Sequence, residues 1–119
     1  MTSPALTFGP LLALVESLNA AGVRAALDPS DVNVPGAWVT VEGIQAETLD
    51  GSLRVEAVVY LIVGDQDYLR ALEDLADLHN ATLTVLSPDG KVVPQGVILP
   101  STPTPLPALR VPVYLYESE

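Results

Sequence analysis

Residues 53–63 constrain the fold more than any other segment. Leu53, Val55, Ala57, Val59, Leu61 and Val63 fall on one side of a period-two alternation. The other side starts with Arg54 and Glu56 and finishes with Val58, Tyr60 and Ile62. Successive side chains of a strand point to opposite faces, so this spacing predicts a strand. The shift from one-sided to two-sided apolar character predicts a central strand, half-exposed at its start and covered on both faces at its end. After Gly64-Asp65 the apolar spacing lengthens to three and four residues, so a helix follows the strand.

In that helix Asp65 is placed to cap, and Asp67 sits in the first turn, where the helix dipole favours an acid. Tyr68, Leu69, Leu72, Leu75, Ala76 and His79 are predicted to line its apolar face. Arg70, Glu73, Asp74 and Asp77 line the polar one, and Asn80 is the expected stop. An earlier helix is predicted over 10–21. Pro10 opens it, Leu11, Leu14, Val15 and Leu18 form one stripe, and Gly22 suits the left-handed residue past its end.

Five further strands are expected, at 23–27, 37–41, 82–86, 91–99 and 109–116. Residues 42–51 read as an acidic loop. Ser87-Pro88-Asp89-Gly90 reads as a hairpin turn between 82–86 and 91–99. Pro94 and Gly96 mark the second arm as irregular or an edge strand. The proline-rich run 100–107 reads as a stiff, extended strap. In the last strand Leu109, Val111, Val113 and Leu115 share one face, and Arg110, Pro112, Tyr114 and Tyr116 the other. Pro112 has no N–H to give a ladder, which points to an edge. The predicted order is α-β-β-β-α-β-β-β. The economical architecture is α+β: a single mixed, mostly antiparallel sheet with two helices packed on one face. Residues 1–119 form one domain in this reading.

Composition narrows the function. The hydrophobic share is 49 per cent of 119 residues, enough for a packed core. Fifteen acids against five Lys and Arg give a net charge of −10. That balance argues against tight binding to nucleic-acid backbone, which depends on cations neutralising phosphates, and against an anionic membrane surface. No apolar run approaches the ~18 residues of a membrane span. The N-terminus lacks the basic region of a signal peptide. With no Cys, disulfides and zinc–thiolate sites are excluded.

No catalytic constellation emerges. His79 is the single His and sits at the end of an apolar stripe, as a helix-end residue beside the core. There is no Gly-x-Ser-x-Gly elbow, phosphate loop or Gly-x-Gly-x-x-Gly fingerprint. Asp28, Asp31 and Asn33 cluster hard oxygens on a turn, but their spacing differs from a calcium loop. They are expected to bond their own backbone. No catalytic residue, metal or cofactor is therefore expected. Trp38 suits a core or an interface. Tyr114 and Tyr116 suit a subunit contact or a core edge. The strap, with Pro103, Pro105 and Pro107, and an unpaired C-terminal edge both point to an oligomer.

These residues carry a family resemblance. The first helix ends in Ala-Gly-Val, and Asp28-Pro29-Ser30-Asp31-Val32-Asn33-Val34-Pro35-Gly36-Ala37-Trp38-Val39 follows. The strand-to-helix step after Val58-Val59-Tyr60-Leu61-Ile62-Val63 and the proline-rich run before the last strand complete the pattern. One Phe and one Met against eleven Pro fit a GC-rich coding sequence. The chain resembles the tail terminator (tail completion) proteins of long-tailed phages with GC-rich genomes. The resemblance implies a mixed sheet with packed helices and a ring, of six copies, on the head-proximal end of the tail. Such a ring caps the tail tube protein and offers a surface to a head-side connector protein. DNA passes through without specific binding, and neither cofactor nor reaction is implied. A surplus of acids suits a channel in which DNA must slide. Glu42, Glu47, Asp50, Asp67, Glu73, Asp74 and Asp77 are the candidates to face it. Asp28, Pro29, Asp31, Asn33, Pro35, Trp38, Pro103, Pro105, Pro107, Tyr114 and Tyr116 are the candidates for subunit or partner contacts. A head completion or stopper role, and a small cellular α+β module binding a peptide or metabolite, are the alternatives.

Overall fold

A computed structural model describes residues 8–46, 53–64, 66–100 and 103–117. Two helices, α1 (Gly9–Ala20) and α2 (Tyr68–Thr82), accompany five strands. The strands are β1 (Ala25–Ala26), β2 (Gly36–Ala46), β3 (Leu53–Ile62), β4 (Val93–Val97) and β5 (Leu106–Glu117). They form one sheet in the order β1-β2-β3-β5-β4. β1 runs parallel to β2, and every other pairing is antiparallel. The fold is thus α+β, with a single mixed sheet and both helices on one face.

β3 is the centre of the sheet, as its alternation predicts. Its register places Val59 between Val39 of β2 and Val111 of β5, all three buried. Leu11, Leu14 and Leu18 of α1 pack on this face with Ala37, Ala57, Leu61 and Val113, and Leu78 and Ala81 of α2 join them. Leu18, Val59 and Leu61 are fully buried. The opposite face is covered only towards the end of β3, where Ile62 meets Val32, Val97, Leu99, Leu106 and Ala108. That second cluster is why β3 ends apolar on both sides.

Several boundaries differ from the sequence reading. α2 is capped by Asp67, whose Oδ1 accepts from the N–H groups of Leu69 (3.1 Å) and Arg70 (3.4 Å). Asp65, the expected cap, lies outside the described residues. α2 does not stop at Asn80 but runs to Thr82. Segment 82–86 is not a strand: Leu83 donates to the His79 carbonyl, and Val85 and Leu86 donate to that of Thr82. The Thr82 hydroxyl satisfies itself on Leu78 O at 2.8 Å, so this buried β-branched residue stays in the helix. Ser87-Pro88-Asp89-Gly90 therefore closes no hairpin between strands. Instead Asp89 docks on β5, donating its N–H to Pro112 O (2.9 Å) and accepting the Tyr114 N–H on Oδ2 (2.7 Å).

Residues 42–46, expected in a loop, continue β2. The ladder absorbs an irregularity between Val41 and Gly43 and then pairs Ile44 with Val55. Nor is β5 an edge strand over its first half, since it lies between β3 and β4. Pro112 is still tolerated, because its carbonyl faces Asp89 and its missing N–H therefore takes nothing from the β3 ladder. Beyond Arg110 the β4 partner ends, and that side of β5 is bounded by Asp89. The strap is shorter than expected. Leu106 is buried, and Pro107 is inside β5, opposite Gly96.

Candidate functional site

The turn 28–33 forms as its residue types dictate. Asp28 Oδ1 accepts from the Ser30 N–H (2.9 Å) and hydroxyl (2.6 Å), and Pro29–Asp31 makes a 3₁₀ turn. The Ser30 hydroxyl, and then the Ser30 N–H, hold the Asp28 carboxyl below the usual carboxylate range. Asn33 donates to Asp31 O at 3.5 Å. These oxygens serve their own loop. No group of three His, Asp or Glu among the described residues is placed to hold a metal ion. Pro29 is half-buried and Pro35 exposed.

Trp38 lies on the sheet face opposite the helices. It stacks on Tyr60 with ring centroids 5.3 Å apart and donates Nε1–H to Leu27 O at 3.1 Å. It therefore ties β2 to the segment after β1. Farther along the same face Arg110 pairs with Glu42, and Arg54 lies 4.7 Å above the Tyr114 ring beside Glu56. Tyr114 is thus half-buried against its own chain, while Tyr116 is exposed. Pro103 and Pro105 are exposed.

The acidic candidates do not share one surface. Glu42 is on the open sheet face with Arg110, whereas Glu73, Asp74 and Asp77 are on α2, across the sheet. Asp74 accepts from Gln66 Nε2 at 2.7 Å and, with Asp77, lines a shallow groove that also includes Gly22 and Pro35. Asp67 is spent on the helix cap. Glu47 and Asp50 lie outside the described residues.

Two apolar surfaces were not legible as sites in the sequence. The expected apolar face of α2 is divided. Ala71, Leu75 and Thr82 are buried, with Leu78 packed beside them. Tyr68 and Leu69 are instead 76 and 69 per cent exposed, and Leu72 and Leu83 are exposed too. Leu72, Ala76 and His79 line an open groove of about 350 Å³ against Val92 and Leu109. His79 Nε2 is buried there with no hydrogen-bond partner. Near the opposite edge of the sheet, Phe8, Leu11 and Leu27 line a second groove of about 280 Å³ with Val39, Thr40 and Val41. Phe8 and Leu12 are exposed beside it. The sequence signal was an apolar arc on α2 wider than one packing stripe needs.

No family model matches the chain, and no curated protein matches it closely enough to count as a relative.

Proposed function

We propose that this chain is a structural protein of a phage virion, a tail terminator whose ring caps the tail tube and joins the tail to the head while DNA passes through the lumen. The sequence resemblance over 28–39 and the order of elements support the reading. The observation that carries it is the exposure of large apolar side chains at both helices, Leu12 with the N-cap Phe8 at one and Tyr68, Leu69 and Leu72 on the other. In a chain of net charge −10 such residues belong under other protein subunits, because contiguous apolar surface in contact with water marks interaction sites. Six copies, a tail tube protein and a head-side connector protein are the partners in this reading. The acids that line the lumen would keep DNA from sticking.

Neighbouring genes should encode a tube-sized, β-rich protein and a very long helical chain of the kind that sets tail length. Metabolic neighbours would overturn the reading. Particles assembled without this protein should show tails of uncontrolled length with no head. Normal tails beside filled, unjoined heads would move the chain to a head completion or stopper role. A second reading, a small peptide-binding module, has the groove lined by α2, Val92 and Leu109 in its favour, since Val92 leads into the edge strand β4, whose open side can take an extended peptide. A stable monomer that retains one peptide would favour it.

A further inference from the structure

At two places the sheet ends in backbone groups that no strand answers, and side chains from outside the sheet take them. Val63 donates its N–H to Pro107 O at 3.0 Å, so the backbone polar groups of Pro107 and of every second residue after it face β3. Those of Ala108, Arg110, Pro112, Tyr114 and Tyr116 face the other way. β4 pairs as far as Val93 with Arg110 and goes no farther. Pro112, Tyr114 and Tyr116 are left without a strand on that side among the described residues. Asp89 takes two of their groups, giving its N–H to Pro112 O (2.9 Å) and accepting the Tyr114 N–H on Oδ2 (2.7 Å). Gly90 follows so closely on the strand that a Cβ there would stand 3.0 Å from Pro112 Cγ.

The far end of the sheet repeats the arrangement. Ala37 donates to Arg24 O at 2.7 Å, so Arg24 faces β2, and Ala25, the next residue, faces away from it. Asn19, on the last turn of α1, takes both outward groups of Ala25. Its Nδ2 donates to Ala25 O at 3.1 Å and to Val15 O at 2.9 Å, and its Oδ1 accepts the Ala25 N–H at 3.3 Å. A primary amide carries the donor and the acceptor of a peptide group, so Asn19 stands where a neighbouring strand would.

We infer that Asn19 and Asp89 guard the sheet, closing β1 and the distal half of β5 against the addition of another strand. Left unanswered, outward N–H and C=O groups are a template on which another chain pairs. Each guard makes one donor bond and one acceptor bond to such groups, the pair that an added strand would make. At β5 two further features blunt the edge: Pro112 has no N–H to offer, and the Asp89 carboxylate sets a charge against the strand. The turn residues Pro88-Asp89-Gly90, which close no hairpin, thereby have a use. The inference does not depend on the terminator reading, since a ring subunit and a monomer both need closed edges.

Asp89→Pro removes both bonds at β5, and Asp89→Ala removes the carboxylate bond alone. Both variants are compared with the parent at about 1 M sodium chloride, where the screening length is ~3 Å and charge no longer keeps copies apart. In dilute solution Asp89→Pro should exchange its Tyr114 amide hydrogen about tenfold faster than the parent, the effect of losing a bond to a charged acceptor. As concentration rises, sedimentation should shift to larger species, and the Tyr114 and Tyr116 amides should become protected as strand pairs with strand. Asp89→Ala should do the same more weakly, and it carries the test should circular dichroism show Asp89→Pro unfolded. A folded variant that stays at the size of the parent at every concentration overturns the inference. So does association that leaves Tyr114 and Tyr116 exchanging freely, because the new contact then lies elsewhere. Neither result touches the terminator reading, which the neighbouring genes and the tails test.

Discussion

A Cβ placed on Gly36 would stand 2.3 Å from the Asn33 carbonyl oxygen and 2.8 Å from that of Arg24. Both are backbone atoms, and the Arg24 carbonyl is already held by the Ala37 N–H at 2.7 Å. Neither can swing aside as a side chain would. Gly36→Ala is therefore expected to cost roughly 2 kcal/mol, as overpacked sites do. At Gly43 the Cβ would meet only the Glu56 carboxylate at 3.8 Å. Gly43→Ala should then stay within about 0.5 kcal/mol of the parent. Urea unfolding of the two variants separates them, and equal midpoints would mean the corner at Gly36 can relax. Asp28 gives a pH prediction at the same scale. Its folded pKa is lowered, first by the Ser30 hydroxyl and then by the Ser30 N–H. A depressed carboxyl stabilises the fold above its unfolded pKa, and that contribution is lost as pH falls through the folded value. Ser30→Ala should move the Asp28 midpoint upward in an NMR titration. An unmoved midpoint would assign the shift to the backbone bond.

Among the elements, α2 depends most visibly on one residue. Asp67 satisfies two N–H groups of its first turn, and Asp67→Ala should cost about 1 kcal/mol, read by thermal or urea unfolding. A cost near zero would mean that a neighbouring acid takes over the cap. The elements with one strong periodicity could be read directly. β3 is central, Gly22 with φ +90° follows the end of α1, and β4 is an edge strand carrying Pro94. The misreadings arise where local propensity competes with tertiary contact. Thr82, Val85 and Leu86 favour a strand by type, yet the preceding helix supplies carbonyls in reach and segment 82–86 turns instead. Residues 42–46 look like a loop by composition, but β3 offers a ladder and Arg54 meets Gln45 across it. Leu69 and Leu72 look like core because periodicity measures an arc of helix and not what covers it. The exposed apolar arc of α2 was hidden for that reason. Trp38, by contrast, was legible as a residue that buries area, and its partner Tyr60 could be found only from the register.

At the scale of the whole molecule the described residues make an elongated body, 55 × 26 × 24 Å, and the full chain carries −10. Two such bodies about 25 Å apart repel by on the order of 1 kcal/mol at 0.1 M salt, where the screening length is about 10 Å, and by almost nothing at 1 M. Attraction between opposite charges across a contact works the other way with salt. Exposed pairs of that kind are worth ~0–1 kcal/mol each, and five Lys and Arg against fifteen acids leave few to form. Apolar contact between copies would not depend on screening. Net repulsion therefore decides the sign, and association should strengthen as salt rises, by up to about fivefold per contact. Around a closed ring each copy meets two neighbours, and six copies would carry −60, so the effect compounds. Sedimentation velocity at low and high sodium chloride reads it as a shift toward the larger species. A shift toward monomer would mean that ion pairs, rather than the exposed leucines, hold the copies together.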